Sequence, residues 1–131
     1  MVGAVVVVAV VRARRRRWRA RLEAAETEVG WLARELLPQL RDTGSLERVA
    51  GGWQVGLPRV TALEDELTVL ESSTKKVEDA ARARTLRDAV RSARARVDSL
   101  VAGGGQDIWA LDLDEIVAVL ESALTPVAQP D

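Results

Sequence analysis

The chain has 131 residues, of which 30% are charged and 3% aromatic, and its formal net charge is −1. This length predicts a single domain with a modest hydrophobic core. The sequence contains no cysteine, which excludes disulfides and thiolate metal sites, and no histidine, the commonest general base and metal ligand. We therefore expect no enzyme, no catalytic residues, no cofactor, no metal site and no small-molecule substrate.

The small net charge hides three zones of different sign. Residues 1–21 carry seven arginines and no acid, residues 22–102 carry twelve basic and fourteen acidic side chains, and residues 103–131 carry six acids and no base. These zones predict an apolar anchor with an arginine-rich flank, then a helical bundle or coiled coil, then a glycine linker with an acidic amphipathic helix and tail.

The first element is a run of valine and alanine over residues 1–11 that carries no charged side chain. At about 1.5 Å per residue it extends roughly 16 Å, about half of a hydrocarbon core of about 30 Å. The positive charge follows this run, whereas in a secretory signal the charge comes first. We expect Met1 to be a late start of a longer N-out, C-in anchor, with the chain on the cytoplasmic side of the cell membrane.

A run of basic residues follows, and we expect it to set the membrane topology and to bind anionic lipid. In the same segment, Trp18 is predicted at headgroup depth. The candidate lipid and topology residues are Arg12, Arg14, Arg15, Arg16, Arg17, Trp18, Arg19 and Arg21. Neutralisation of nucleic-acid phosphates by these arginines is the alternative, and the adjoining valines argue against it.

A heptad pattern begins within this segment and predicts a helix that buries one face. Its positions, spaced 4, 3, 4, 3 and 4 residues apart, are Trp18, Leu22, Ala25, Val29, Leu32 and Leu36. Pro38 is expected to kink or end this helix. The glycine-rich segment 41–58 predicts a break in regular structure, with Ser45 capping one short turn and Trp53 packing on the bundle.

The second helix is predicted to start near Pro58, or at Thr61 if that residue forms a capping box with Glu64. Its apolar positions are Val60, Leu63, Leu67 and Leu70. A third series is formed by Ala83, Leu86, Val90, Ala93, Val97 and Leu100. The two series are out of phase, which favours a turn between residues 72 and 83 over one long bent helix. These patterns fit a closed three-helix bundle or an extended homo-oligomer equally well, because both bury the same side chains.

Glycines 103–105 predict a flexible joint before a short acidic helix. Asp112 and Glu115 are predicted to cap this helix, and capping explains Asp112, Asp114 and Glu115 better than a metal site does. We expect a detachable element whose apolar face binds a partner groove or folds back onto the basic segment. The candidate partner-docking residues are Ile108, Leu113, Ile116, Leu120 and Leu124.

The stretches ELLPQL, GGWQVGLPRV, LEDELTVL and ARARTLRDAVRSARARV add a resemblance. Over residues 1–102 the chain resembles small, uncharacterised membrane-anchored helical proteins of high-GC actinobacteria. The resemblance implies an all-α chain and carries no catalytic residues.

The predicted fold is therefore all-α: an N-terminal apolar helix continues into a three-helix bundle or antiparallel coiled coil, followed by the short acidic helix. The predicted function is that of a membrane-associated scaffold or adaptor that binds a protein partner or a second copy of itself. A soluble nucleic-acid-binding protein and a juxtamembrane signalling helix pair are the alternatives.

Overall fold

The computed structural model describes residues 2–103 and 108–126, and no strand occurs among them. The elements, in chain order, are α1 (Val2–Trp31), a π-helical turn (Leu32–Leu36), α2 (Leu37–Arg41), α3 (Leu46–Ser72), α4 (Val77–Gly103) and α5 (Trp109–Leu124). The prediction of an all-α chain is confirmed.

The helices form an antiparallel bundle with four long members, the first being α1 together with the π-helical turn and α2. Helix α3 runs back along this first member, α4 returns beside α3, and α5 runs back against α4, α1 and α2. The most extensive packing is between α3 and α4. The predicted three-helix arrangement is thus incomplete, because α5 is a fourth member of the same bundle.

The heptad positions of the first helix are all buried, as predicted, from Trp18 at 8% exposure to Leu32 at 0%. The π-helical turn ends two residues before Pro38. Proline has no N–H, and in a regular helix its ring clashes with the carbonyl four residues earlier, which here belongs to Arg34 in the π-helical turn. One wider turn accommodates the proline without ending the helix, and it brings Ala33 and Leu37 into the core as well.

The predicted break occurs over residues 42–45, which separate α2 from α3, and it is wrong over residues 46–58, which are helical. Ser45 caps a helix as predicted, but the helix is long instead of a single short turn. Helix α3 starts at Leu46, where the Ser45 hydroxyl accepts a hydrogen bond from the Arg48 N–H at 3.2 Å, and it continues through Pro58. The predicted starts near Pro58 or at Thr61 are therefore also wrong. A Cβ at Gly56 would lie 2.9 Å from Leu36 Cδ2, so this glycine allows α3 to approach the π-helical turn closely.

Gly56→Ala is expected to destabilise the bundle by up to about 2 kcal/mol, because overpacking of the contact with Leu36 costs about 1–3 kcal/mol and helix propensity returns about 1 kcal/mol. Gly51→Ala in the same helix is the matched control, since a Cβ there meets nothing within 4 Å. This second change should stabilise the protein by up to about 1 kcal/mol through helix propensity. Urea unfolding of both variants measures the difference. If both variants change the free energy of unfolding in the same direction, α3 does not approach the π-helical turn closely at Gly56.

The hairpin of α3 and α4 is confirmed, with residues 73–76 as its turn. Val60, Leu63, Leu67 and Leu70 of α3 are all buried, and so are the predicted positions of α4 up to Val97. Across the interface, Trp53 Nε1 donates a hydrogen bond to Asp98 Oδ1 at 2.7 Å. The packing of Trp53 on the bundle is therefore also confirmed.

Glu64 is the only buried charged residue among the described residues, and two arginines of α4 hold it. Arg91 Nε and Arg94 Nε donate to its two carboxylate oxygens at 2.8 and 2.7 Å. The hydrogen bond from Arg94 is the main reason that the pKa of Glu64 is lowered, and Arg91 adds to the effect. The carboxylate therefore joins α3 to α4 in its charged form.

Glu64→Gln is expected to lower the free energy of unfolding at pH 7 by about 1.5–3 kcal/mol, since hydrogen bonds to a charged group are lost. Because the folded-state pKa lies below the unfolded value of about 4.3, the contribution of Glu64 is complete above that pH. It is lost as the pH falls through the folded pKa. Urea unfolding between pH 3 and 7 measures this effect: the free energy of unfolding should fall less steeply with decreasing pH in this variant than in the wild type.

The control for this prediction is Asp65→Asn, at the neighbouring exposed carboxylate. It should change the free energy of unfolding at pH 7 by less than about 0.5 kcal/mol. If the free energy of unfolding falls as steeply with decreasing pH in Glu64→Gln as in the wild type, other carboxylates determine the acid sensitivity.

A second ion pair joins α1 to α3 around Trp31. Arg59 Nε donates to Glu28 Oε2 at 2.7 Å, while its guanidinium carbon lies 3.8 Å from the centre of the Trp31 ring. The hydrogen bond from Arg59 lowers the pKa of Glu28. This contact lies on the bundle surface, so we assign it a small part of the stability.

Helix α5 is an integral part of the bundle, which corrects the prediction of a detachable element. The side chains of Leu113, Ile116 and Leu120 are at most 1% exposed, and Leu124 is half-buried. Three of the five predicted docking residues are therefore covered by the chain's own helices, whereas Ile108, 52% exposed, and part of Leu124 are accessible to a partner. The glycine joint at residues 104 and 105 lies outside the described residues.

The acidic side of α5 pairs with arginines of the bundle. Three pairs lie across helix interfaces: Asp114 with Arg41 at 2.7 Å, Glu115 with Arg96 at 3.2 Å, and Glu121 with Arg34 at 2.7 Å. Arg82 also donates to the carbonyl oxygens of residues 123 and 124 at the end of the helix. The predicted cap is wrong, because α5 starts at Trp109 and has no side-chain cap.

Candidate membrane-binding surface

The N-terminal half of α1 forms an arm, defined here as residues 3–17, that extends from one end of the bundle. Every side chain of the arm is exposed except Ala13, which is half-buried. At about 1.5 Å per residue the arm is roughly 22 Å long. The adjacent end of the bundle is formed by α3 and α4, where the turn at residues 73–76 joins them.

The outer part of the arm is apolar on all sides. Six valines, at positions 5, 6, 7, 8, 10 and 11, are between 43% and 71% exposed. Because consecutive residues point in different directions around a helix, no single face is covered by the bundle. Among the described residues, no helix combines the length and the apolar character needed to cross a bilayer.

The predicted lipid-binding arginines fall into two groups. Arg19 pairs with Asp79 at 3.8 Å and Arg21 pairs with Glu66, so these two belong to the bundle surface. The other five lie on the arm, and no carboxylate of the described residues is within 4.0 Å of them. These five are Arg12, Arg14, Arg15, Arg16 and Arg17. The arm therefore carries the positive charge that the bundle leaves uncompensated.

Trp18 is packed inside the bundle, so its side chain is not exposed for contact with lipid headgroups. Its side chain is 8% exposed, and its indole Nε1 donates a hydrogen bond to the Leu70 carbonyl oxygen at 3.0 Å. Leu70 is in the last turn of α3, so the tryptophan fixes the base of the arm to the end of that helix. The heptad pattern, in which Trp18 is the first position, was the better indication of its role.

Two further cations lie beside the arm and were missed from the sequence. Lys75 and Lys76, the only lysines of the chain, belong to the exposed turn between α3 and α4. They line a cleft together with Arg14 and Arg15 of the arm. The hairpin was predicted, but only the antiparallel packing of α3 on α1 shows that its turn lies at the arm end.

The remaining acidic groups give no sign of a metal centre. Within residues 2–103 and 108–126, no cluster of three or more acidic side chains has the geometry to hold a metal ion. Asp114 and Glu115 instead pair with Arg41 and Arg96 across helix interfaces.

Comparison of the chain with protein-family models, with curated proteins and with solved structures finds no match.

Proposed function

We propose that this chain is a membrane-associated helical scaffold without catalytic activity, held by its arm on an anionic bilayer. One observation carries the proposal: the arm exposes valines on all sides and then five arginines that no described carboxylate neutralises. A helix that is apolar all round is normally buried in protein or lipid. In this chain the bundle does not cover it.

The dimensions of the arm support insertion of its valines into lipid. Residues 3–11 rise by about 13 Å, close to the thickness of one leaflet of a hydrocarbon core of about 30 Å. The arginines that follow would then lie at the level of the lipid phosphates. Near an anionic surface each contributes about 1 kcal/mol. The basic flank also favours a location of the bundle on the cytoplasmic side of the cell membrane.

The rest of the molecule suits the role of a rigid platform. Trp18 connects the arm to the end of α3. Helix α5 is held in the bundle by its buried apolar side chains Leu113, Ile116 and Leu120. A protein partner or a second copy would bind the outer surface of this platform. The inner apolar face of α5 is not the docking site, because it is already buried.

Sedimentation with lipid vesicles tests the proposal. The full chain should bind vesicles that contain phosphatidylserine and should bind neutral phosphatidylcholine vesicles much more weakly. Arg16→Ala/Arg17→Ala should reduce the affinity about 30-fold, which corresponds to about 1 kcal/mol for each charge removed. Arg48→Glu removes the same net charge at the exposed start of α3 and is the matched control. It should leave the affinity within about twofold, because it lies at the opposite end of the bundle, beyond the roughly 10 Å Debye length.

A second pair of changes separates lipid from nucleic acid. Val7→Asn/Val8→Asn keeps the charge of the arm and removes apolar surface, so it should weaken vesicle binding and leave any binding of duplex DNA unchanged. If the wild type binds DNA with a strong salt dependence and does not bind anionic vesicles, the membrane proposal is rejected in favour of the nucleic-acid alternative.

A further inference from the structure

The arm and the turn between α3 and α4 enclose a cleft of about 290 Å³. Arg14 and Arg15 line it from the arm, and Lys75 and Lys76 line it from the turn. Segments about 60 residues apart in the chain thus contribute cations to one concave surface. The buried Trp18 forms part of its wall and connects the two segments through its hydrogen bond to Leu70.

The charges in this cleft are poorly balanced. Asp79 is the one carboxylate that lines it, and that side chain pairs with Arg19 at 3.8 Å. No carboxylate of the described residues lies within 4.0 Å of the four cations. Like charges brought together in this way repel one another, and an anion between them would remove the repulsion.

We propose that the cleft binds the phosphate of a lipid headgroup and that it prefers a phosphomonoester, such as that of phosphatidic acid, to a singly charged headgroup. This inference rests on the function proposed above. Guanidinium groups donate paired hydrogen bonds to phosphate oxygens, and ammonium groups act as point charges beside them. A phosphomonoester carries more negative charge than a phosphodiester and has three free oxygens to accept these bonds.

The position of the cleft favours a lipid over a soluble phosphate compound. Val11 lines the cleft next to the arginines, and it continues directly into the exposed valines of the arm. A lipid whose phosphate occupies the cleft would therefore lay its acyl chains along apolar side chains. A soluble phosphate compound would leave those valines in water.

The test compares the full chain on two vesicle types of equal surface charge, one containing phosphatidic acid and the other phosphatidylserine. The wild type should bind the first about tenfold more tightly, since charge-assisted hydrogen bonds to the phosphomonoester are added. Lys75→Ala/Lys76→Ala should abolish this preference. Arg16→Ala/Arg17→Ala removes the same charge from arm positions that do not line the cleft, so it should weaken both affinities and keep the preference.

Equal binding of both vesicles by the wild type, or a preference that survives in Lys75→Ala/Lys76→Ala, would overturn this inference and leave the membrane proposal intact. Binding to neither vesicle would reject the membrane proposal itself. Calorimetry with glycerol 3-phosphate identifies the source of the phosphate. Affinity for this soluble compound equal to that for the vesicles would overturn the assignment to lipid, and weak or undetectable binding supports it.

Discussion

Replacement of both Leu67 and Leu86 with aspartate is expected to abolish the helical circular dichroism signal and the cooperative thermal transition. These leucines lie in α3 and α4, the pair of helices with the most extensive interface, and both are 0% exposed. Each aspartate would place a carboxylate in the core without a guanidinium partner. A buried unpaired charge and a lost leucine each cost several kcal/mol, which together equal or exceed the usual total stability of about 5–15 kcal/mol.

The control for this prediction is Val55→Asp, which introduces the same side chain into α3 at a position that is 84% exposed. It should keep the helical signal and change the free energy of unfolding by less than about 0.5 kcal/mol. A double variant that retains its helical signal and its transition would mean that α3 and α4 do not pack through these residues.

The second large effect is expected at Trp18, the residue that joins the arm to the bundle. Trp18→Ala should lower the free energy of unfolding by about 3–5 kcal/mol, because a buried aromatic side chain is removed. Trp18→Phe keeps most of the apolar contact and loses the hydrogen bond to the Leu70 carbonyl oxygen. Loss of this hydrogen bond should lower the free energy of unfolding by about 1 kcal/mol, in addition to the effect of the smaller ring. Urea unfolding should show a larger loss of stability for Trp18→Ala than for Trp18→Phe.

The same variants distinguish the buried position of Trp18 from one at the lipid headgroups. In the structure the tryptophan supports the arm, so Trp18→Phe should alter stability and leave the binding of anionic vesicles almost unchanged. If the tryptophan instead contacted lipid, Trp18→Ala would reduce vesicle binding and leave urea unfolding as in the wild type.

Changes in the bundle and changes in the exposed cations should affect different properties, the first stability and the second lipid binding. Changes such as Gly56→Ala and Glu64→Gln act on helix contacts, and they should lower stability without changing lipid preference. Changes at Arg16, Arg17 or the two lysines act on exposed cations, so they should weaken vesicle binding and leave the free energy of unfolding almost unchanged. Of these, only the changes at the lysines should also remove the preference for phosphatidic acid. This separation allows loss of folding to be distinguished from loss of binding.

The apolar periodicity was sufficient to predict three helices and the face that each one buries. Heptad positions from Trp18 to Leu36, from Val60 to Leu70 and from Ala83 to Val97 are buried, and the turn lies where the phase breaks. Periodicity is a local property that follows from 3.6 residues per turn, so it can be read without knowledge of the neighbours. The valine run and the arginine run were visible for the same reason.

Other features depended on neighbours that are distant in the chain. Glycine and proline indicate a break by their intrinsic propensity, yet Gly52 and Gly56 are helical because α3 packs closely against Leu40 and Leu36. The acidic residues of α5 suggested caps and a free helix. Their arginine partners on the first member of the bundle and on α4 became evident only once the helices were assembled.

The sequence by itself determined that this chain is helical, where the first three helices bury their apolar faces, and that one end combines valines with arginines. Only the tertiary structure decided that α5 completes the bundle, that Trp18 is buried, and that Lys75 and Lys76 lie beside Arg14 and Arg15. The physical reason is the range of the interactions. Helix periodicity and charge runs are local, whereas close packing and clustering of cations depend on which ends of the antiparallel helices meet.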